Sequence, residues 1–212
     1  MAAHADDCPF GIGGILLKAV AQKHRVVVLN LLTRGAEVAT KIDAVNAMFG
    51  VETITLDYQS GCFELCEETK RAVSEVVADV KPNTAFYLWP EDHHPDHVVA
   101  AAVCRAALRL GGRILGRDDV RPVTHAFAYD NGPTHTIGFV PDTFVDITNE
   151  WEKVMEWNGR IGAAFEGEAY DPDTEYHNQP IKQILAAYRG LASGKKFAEA
   201  VWSVGNRATE IF

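Results

Sequence analysis

Two short segments rich in histidine and aspartate carry the side chains best suited to catalysis. The first is His4-Ala5-Asp6-Asp7, and the second is His93-His94-Pro95-Asp96-His97. Imidazole nitrogens and carboxylate oxygens, with one coordination position left open, are the donor set of a catalytic zinc site. Asp6 and Asp96 supply further carboxylates for proton transfer and for orienting an imidazole. The two segments together therefore predict a catalytic metal centre.

The elements around these segments predict that the segments meet. Apolar, β-branched stretches alternate with stretches of helical periodicity, which is typical of βαβ units. The predicted strands cover residues 25–32, 50–57, 84–89, 123–129 and 144–147. The predicted helices cover residues 11–23, 38–49, 64–80, 96–110, 149–162 and 178–192. We therefore expect an α/β, Rossmann-like three-layer fold with a mostly parallel central sheet flanked by helices, in which loops after the strands share one edge.

Length and composition define the class of protein. The chain has 212 residues, 47% of them hydrophobic, which predicts a single globular domain over residues 1–212. Residues 165–180 are acidic and contain two prolines, so we predict a mobile loop there. The formal net charge of −9 argues against a nucleic-acid or anionic-membrane partner. No apolar run approaches the roughly 18 residues of a membrane helix, and no signal peptide is visible, so we expect a cytoplasmic protein.

Several of these features also have a simpler interpretation. A loop rich in His and Asp is often only solvated, and Pro95 fits an ordinary turn before a helix. Gly11-Ile12-Gly13-Gly14 lacks the spacing of a dinucleotide-binding loop, which favours packing at a helix start. Cys62 and Cys66 have no second Cys/His pair nearby and are expected to be buried thiols. His135 is isolated along the chain and is expected to be structural.

Several segments follow the order and spacing of the motifs of a known enzyme family. They are, along the chain, Ala3-His4-Ala5-Asp6-Asp7, Gly13-Gly14, Leu32-Thr33-Arg34-Gly35, His94-Pro95-Asp96-His97, Phe144-Val145-Asp146-Ile147-Thr148 and Phe197-Ala198-Glu199-Ala200. With these motifs the sequence resembles the PIG-L (LmbE-like) family of zinc-dependent N-deacetylases. The first and fourth segments are similar to the family's Ala-His-Pro-Asp-Asp-Glu and His-Pro-Asp-His boxes. The resemblance extends over nearly the whole chain.

The resemblance implies a role for each polar residue of the two boxes. The ligands of a catalytic Zn²⁺ would be His4, Asp7 and His97, and Fe²⁺ would suit the same donors. Asp6 would be the general base that deprotonates the attacking water. His94 would stabilise the oxyanion and protonate the leaving amine, with Asp96 polarising a neighbouring histidine.

The implied reaction removes an N-acetyl or other N-acyl group from a small-molecule amino sugar or N-acetylglucosamine conjugate. Arg34, in a loop at the catalytic edge, is a candidate for binding a phosphate or carboxylate of the substrate. Two alternatives stay open: deacylation of a non-sugar amide in secondary metabolism, and a catalytically silent metal-binding protein of the same fold. A symmetric homo-oligomer is compatible with the sequence, which shows no interface signature.

The sequence departs from the family pattern next to the metal boxes. Cys8 stands where the family has Glu, and we expect this thiol to pack in the core, with metal binding as the alternative. Ser60-Gly61 stands where the family has Asp-Gly, so we expect an altered substrate. An apolar strand normally leads into the first box, whereas three residues precede His4 here. We therefore expect either a longer natural chain or a sheet that tolerates a stub, the latter with a looser His4–Asp7 loop and weaker metal retention.

Overall fold

Two groups of helices enclose the strands of a three-layer α/β fold. The computed structural model of the chain describes residues 1–204. Within them the helices are α1 (Asp7–Ala21), α2 (Ala36–Met48), α3 (Glu67–Val80), α4 (Pro95–Leu115), α5 (Trp151–Glu166) and α6 (Gln179–Ser193). The strands are β1 (Val27–Leu32), β2 (Glu52–Tyr58), β3 (Thr84–Leu88), β4 (His125–Tyr129), β5 (Thr143–Asp146) and β6 (Ala198–Ser203). This alternation confirms the expected α/β class, and none of these helices has the length and apolar character needed to cross a membrane.

The strand pairing is parallel in the first half of the fold and antiparallel at the C-terminal edge. β1 pairs in parallel with β2, and β3 pairs in parallel with β4. β6 lies between β4 and β5 and runs antiparallel to both. α3 packs against α4, whereas α1 and α2 pack against α5. The parallel strands bring their carboxyl ends, and the segments that follow them, to one edge of the fold.

Residues Met1–Ala3 lie between β1 and β3 and link the two parallel pairs. Ala2 forms a parallel bridge with Asn30 of β1. On the other side, the Met1 ammonium donates a hydrogen bond to the carbonyl oxygen of Phe86 on β3 at 2.9 Å. A largely apolar groove of about 600 Å³ continues beside Met1 between the two strands. This short segment runs in the direction of β1 and delivers the first His/Asp segment to the carboxyl-end edge.

Helix α1 begins earlier than the sequence pattern predicts. The pattern predicts a start at residue 11, whereas α1 begins at Asp7 and contains a non-helical Ile12. A carboxylate in the first turn favours a helix start, because it faces the positive end of the helix dipole. Gly11 and Gly14 allow the helix to approach the core closely, since a Cβ at either position would lie 2.4 Å from a neighbouring side chain. The packing interpretation of these glycines is confirmed.

Helix α4 begins within the second His/Asp segment. Pro95 is its first residue, and the His94 side chain accepts a hydrogen bond from Asp96 N at 3.2 Å. Proline suits the first helical turn, because the amide hydrogen that it lacks would have no partner there. His94 therefore caps the helix that carries the rest of the segment. Gly116, with φ of 69°, ends the helix beyond the predicted residue 110.

Residues 167–178 connect α5 to α6 and fall within the predicted loop 165–180. Tyr176 is buried in this connection, and its ring stacks on Tyr170. The Tyr176 hydroxyl accepts a hydrogen bond from Asp171 N at 3.0 Å. The connection ends at Asn178, the N-cap of α6. The mobility of this loop stays a prediction.

Candidate metal centre

The two His/Asp segments meet at a cavity of about 290 Å³. His4 follows the Met1–Ala3 segment, and His97 lies in the first turn of α4, after β3. Nδ1 of His4 lies 3.2 Å from Nε2 of His97, and Oδ1 of Asp7 lies 3.4 Å from the same Nε2. The structure thus brings the three expected ligands together, with their ligand atoms within 4.8 Å of one another.

Hydrogen bonds from neighbouring residues hold this ligand set in place. Nδ1 of His97 lies 3.0 Å from Oδ2 of Asp92, which leaves Nε2 free for a metal. Asp7 accepts hydrogen bonds from the His4 amide at 2.8 Å and from Asn131 Nδ2 at 2.6 Å. Metal-binding imidazoles are usually oriented by such a carboxylate. Two imidazoles and a carboxylate placed in this way fit a divalent cation such as Zn²⁺.

The charged groups of the cluster shift one another's pKa. Burial alone lowers the pKa of His97, but the hydrogen bonds with Asp7 and Asp92 outweigh burial and raise it to about 10. Burial raises the pKa of Asp7, yet the hydrogen bonds with His4 and His97 bring it far below its usual value. Burial likewise lowers the pKa of His4, and the hydrogen bond with Asp7 overcomes this effect to leave it raised. The metal-free cluster therefore holds protons that a cation has to displace.

Asp6 lines the cavity beside the cluster and is held by a residue from a distant part of the chain. Its Oδ2 accepts a hydrogen bond from Asn178 Nδ2 at 2.8 Å. Burial and the negative charge of Asp7 raise the pKa of Asp6. A carboxylate with a raised pKa binds a proton more readily, which suits a general base. The catalytic role of Asp6 stays a prediction.

His94 and Asp96 form another group of potential ligands together with His4. Oδ2 of Asp96 lies 3.4 Å from Nε2 of His4 and accepts a hydrogen bond from Ser60 Oγ at 2.5 Å. Burial raises the pKa of Asp96, but hydrogen bonds from Ser60 and the following amide outweigh burial and lower it. Burial and the charges of neighbouring histidines lower the pKa of His94. Asp96 is therefore an ionised partner of His4.

Arg34 lies in the cavity wall and contacts Phe165 of α5. Its guanidinium carbon lies 4.3 Å from the centre of the Phe165 ring. A guanidinium stacked on an aromatic face keeps the N–H groups in its own plane available for an anion. Arg34 is thus one of the cavity residues, and its contact with a substrate stays a prediction.

Several cavity residues carry no motif in the sequence. Asn131 follows β4, and Asn178 precedes α6. The His135 ring lies 5.3 Å from the His97 ring between centres, and His135 groups with Asp92 and His97 as a third set of potential ligands. His135 therefore lies beside the ligand set in the folded chain, and its role as a structural histidine stays a prediction. A lone asparagine or histidine has no spacing pattern, and only the position of Asn131 after a strand end could have signalled a site.

The cysteines lie apart from the ligand set. Cys8 is buried, with Sγ 3.4 Å from the Tyr129 hydroxyl, so packing in the core is confirmed for this residue. Cys62 is exposed and Cys66 is partly exposed, so the expectation of two buried thiols is wrong there. Cys66 is the N-cap of α3 and ends the connection between β2 and α3, and such connections run over the protein surface.

Comparison with models of known protein families identifies the family of this chain. The model of the PIG-L family, described as GlcNAc-PI de-N-acetylase, matches residues 1–108, which include both His/Asp segments. The chain belongs to the PIG-L family. The resemblance seen in the sequence boxes is thereby confirmed. The PIG-L family is one of deacetylases, which hydrolyse an amide bond.

Individual relatives of this PIG-L protein have related folds and more than one activity. A diacetylchitobiose deacetylase of Thermococcus kodakarensis is 27% identical and aligns with 93% of this chain and 79% of that protein. A conserved protein of Thermus thermophilus superposes with a TM-score of 0.81 at 22% identity, over 99% of this chain and 94% of that chain. The 4-carboxy-2-hydroxymuconate hydratase GalB of Pseudomonas has a TM-score of 0.76 at 18% identity, over 100% and 97% of the two chains. Because one fold serves different reactions, the activity has to be argued from the site.

Proposed function

We propose that this protein is a metal-dependent hydrolase that removes the N-acetyl group from an amino sugar or an N-acetylglucosamine conjugate. One observation carries the proposal, namely the placement in a single cavity of three potential metal ligands and two further acid–base groups: His4, Asp7, His97, Asp6 and His94. Membership of the PIG-L family and similarity to a diacetylchitobiose deacetylase support an acetylated amino sugar as the substrate.

The ligand set fits a divalent metal, for which we propose Zn²⁺, with Fe²⁺ as the alternative that suits the same donors. When bound, the cation polarises the amide carbonyl and brings the pKa of a water molecule toward neutrality. His97 would bind it through Nε2, because Nδ1 is engaged with Asp92. Asn131 fixes the carboxylate of Asp7, so both side chains are oriented before a cation arrives.

Asp6 accepts the proton of the attacking water. Burial and the charge of Asp7 raise its pKa, which makes its carboxylate a better proton acceptor than an exposed aspartate. The same raised pKa lets Asp6 pass the proton on to the nitrogen of the leaving amine. Asn178 holds one carboxylate oxygen at 2.8 Å and thereby orients the side chain for both steps.

His94 donates a hydrogen bond to the developing oxyanion. The amide of Asp96 donates to Nδ1, so the single proton of the neutral imidazole lies on Nε2. Burial and the neighbouring histidines lower the pKa of His94, which keeps the ring neutral at pH 7. A neutral N–H donor held by the start of a helix stabilises negative charge without rearranging. We therefore assign the oxyanion to His94. Because a neutral imidazole is a poor acid, we assign the protonation of the amine to Asp6, in place of the role that the family resemblance implies for His94.

The proposal is tested by measuring acetate and amine release from N-acetylglucosamine and N,N′-diacetylchitobiose. The protein loaded with Zn²⁺ should release both products in equal amounts, a chelator should stop the reaction, and added Zn²⁺ should restore it. Asp6→Asn should lower kcat by about 10²- to 10⁴-fold. The matched control is Asp43→Asn, which changes an exposed aspartate on α2 and should leave kcat unchanged.

Two outcomes contradict the proposal in different ways. Stoichiometric Zn²⁺ without acetate release from a broad panel of N-acyl compounds would support the catalytically silent metal-binding protein. Release confined to non-sugar amides would support a deacylase of another substrate class. Unchanged acetate release by Asp6→Asn would contradict the role of the base and leave the reaction itself intact.

A further inference from the structure

Four side-chain atoms of residues that line the cavity have no hydrogen-bond partner within the described part of the chain. One is Oδ1 of Asn131, whose Nδ2 donates to Asp7, and the other three are Nδ2 and Oδ1 of Asn30 and Oγ1 of Thr55. Asn30 lies on β1 and Thr55 on β2, and the two residues are register partners across the parallel pair. Both side chains line the cavity, and Asn30 is 1% exposed. Their polar atoms therefore lie side by side without protein partners.

Another buried asparagine shows how this chain treats a purely structural amide. Asn46 on α2 is 0% exposed. Its Nδ2 donates to Thr53 Oγ1 at 2.8 Å, and its Oδ1 accepts from Trp157 Nε1 at 2.8 Å. Buried polar groups are nearly always paired in this way, because an unpaired one loses its bonds to water without compensation. Asn30 departs from that rule at the position where the wall meets the cavity, which indicates a partner supplied by a ligand.

The chemistry of the unpaired atoms limits what that ligand group is. The amide of Asn30 offers both a donor and an acceptor, and the hydroxyl of Thr55 can act as either. An apolar acyl chain would leave all of these atoms unsatisfied. An anionic group would face the Oδ1 oxygen of Asn30 and could use only the donors. Hydroxyl groups, which donate and accept at once, match the whole set.

The size of the cavity agrees with a compact hydroxylated group. Ligand pockets commonly enclose about 300–1,000 Å³, and this cavity of about 290 Å³ lies at the small end. Leu32, Val38 and Ile42 also line it, which provides apolar surface for the C–H face of a ring. A single sugar ring presents such a face together with several hydroxyls.

We propose that Asn30 and Thr55 form a hydroxyl-binding subsite that holds the ring hydroxyls of the substrate while the acetamido group lies at the metal centre. This inference rests on the proposed function for the position of the acetamido group. It adds two specificity-determining residues that contact the sugar and take no part in the proton transfers.

The test combines two variants of the subsite with a matched control. Asn30→Leu and Thr55→Val keep the approximate shape of each side chain and remove its hydrogen bonds. Asn46→Leu makes the same chemical change at the paired asparagine outside the cavity. Affinity for N-acetylglucosamine and for its 3-, 4- and 6-deoxy analogues is measured by calorimetry on the metal-free proteins, in which the proposed reaction does not hydrolyse them, and the thermal midpoint Tm of each protein is measured without sugar.

The subsite predicts a specific pattern. Asn30→Leu should weaken N-acetylglucosamine binding about tenfold, the effect of one or two lost hydrogen bonds. At least one deoxy analogue should bind the unaltered protein about tenfold more weakly than N-acetylglucosamine does. Asn30→Leu should bind that analogue and N-acetylglucosamine equally well, because the variant has already lost the hydrogen bond that the analogue cannot form. Tm should not fall in Asn30→Leu, since no protein partner is lost. It should fall in Asn46→Leu, because the N–H of Trp157 then loses its hydrogen-bond acceptor.

Failure of the subsite and failure of the proposed function give different results. Unchanged sugar affinity in both Asn30→Leu and Thr55→Val overturns the subsite, because ordered water then satisfies these atoms. A loss of Tm in Asn30→Leu equal to that in Asn46→Leu overturns it as well. The deoxy-dependent binding pattern without acetate release supports the subsite and contradicts the deacetylase. Acetate release with kcat/KM unaffected by Asn30→Leu contradicts the subsite alone.

Discussion

Asn178 at the start of α6 donates a hydrogen bond to Asp6 at 2.8 Å, although the two residues are separated by most of the chain. Without it, Asp6 would be a half-buried carboxylate beside the negative charge of Asp7 with no side-chain donor. The hydrogen bond stabilises the ionised form and thereby limits the rise in the pKa of Asp6. The connection between α5 and α6 thus acts on the proposed base through its last residue.

Asn178→Ala should lower kcat and move the acid limb of the pH–rate profile to higher pH. Removal of the hydrogen bond raises the pKa of Asp6 further, and the reaction needs Asp6 ionised, so activity is lost at a higher pH than in the unaltered protein. We expect the acid limb to move up by about one pH unit, the effect on a pKa of losing one charge-assisted hydrogen bond. Asn149→Ala, at an exposed residue before α5, is the control. A lower kcat with an unshifted acid limb would argue against the link to Asp6.

Asp92→Asn should weaken metal binding without removing a ligand. Asp92 lies 3.0 Å from Nδ1 of His97 and fixes which ring nitrogen is free. Loss of such a supporting carboxylate commonly weakens metal affinity by about 10- to 100-fold. Competition with a chromogenic chelator measures the Kd for Zn²⁺, and Asp43→Asn should match the unaltered protein. Equal affinities for the Asp92 and Asp43 variants would show that His97 is oriented by other contacts.

Zinc affinity should rise with pH across the neutral range. The pKa of His97 is raised to about 10 in the metal-free protein, so its ring is protonated at pH 7, whereas a metal requires the neutral form. Competition with one proton strengthens binding by up to about tenfold per pH unit. Calorimetry in two buffers of different ionisation enthalpy should detect the released proton. Zinc affinity that is constant between pH 6 and 8 would contradict the raised pKa.

The same pKa has an opposite consequence for the metal-free fold. The ordinary histidine pKa is 6.5, and the folded value is higher, so the protonated form stabilises the native state. This contribution is fully present below about pH 6.5 and is lost as the pH rises toward 10. Urea unfolding of the metal-free protein at a series of pH values measures it, and His97→Ala should flatten that dependence.

Arg189→Met should destabilise the protein and weaken its metal site together. Arg189 on α6 forms a buried ion pair with Asp130, the residue before Asn131. Removal of one partner leaves the other charge buried, which commonly costs about 3–5 kcal/mol. Lys195→Met, in the half-exposed pair with Asp146, should cost less than about 1 kcal/mol. The free energy of unfolding in urea and the Kd for Zn²⁺ report the two effects.

A normal zinc affinity in Arg189→Met, despite a large loss of stability, would separate the ion pair from the site. It would mean that Asn131 keeps its hydrogen bond to Asp7 when the strand end behind it is disturbed.

The two His/Asp segments could be predicted because their potential ligands lie close together in the sequence. His94 and His97 share one helical turn, and strand alternation indicates the edge where the segments meet. Asn131 and Asn178 could not be predicted in this way, since each is a single asparagine in a connection, where asparagine is common for conformational reasons. Only the packing of β4 and α6 around the first segment brings them to Asp7 and Asp6.

The antiparallel orientation of β6 against β4 and β5 is not predictable from the sequence for a related reason. Short apolar strands such as β5 and β6 have the same residue pattern in either direction, so composition does not decide their orientation. Asn30 shows the limit from the other side. It is a polar residue within the apolar stretch of β1, and the sequence does not show that this position borders a cavity.

Because His94 caps α4, the position of the proton on its ring depends on the first turn of that helix. Nδ1 accepts from Asp96 N only while the first turn of α4 is formed. Fraying of that turn would free both ring nitrogens and let the proton move between them, which would reverse the donor and acceptor ends of the ring. Under the role proposed for His94, mutations that loosen the first turn of α4 should slow the reaction even where they touch no reacting atom.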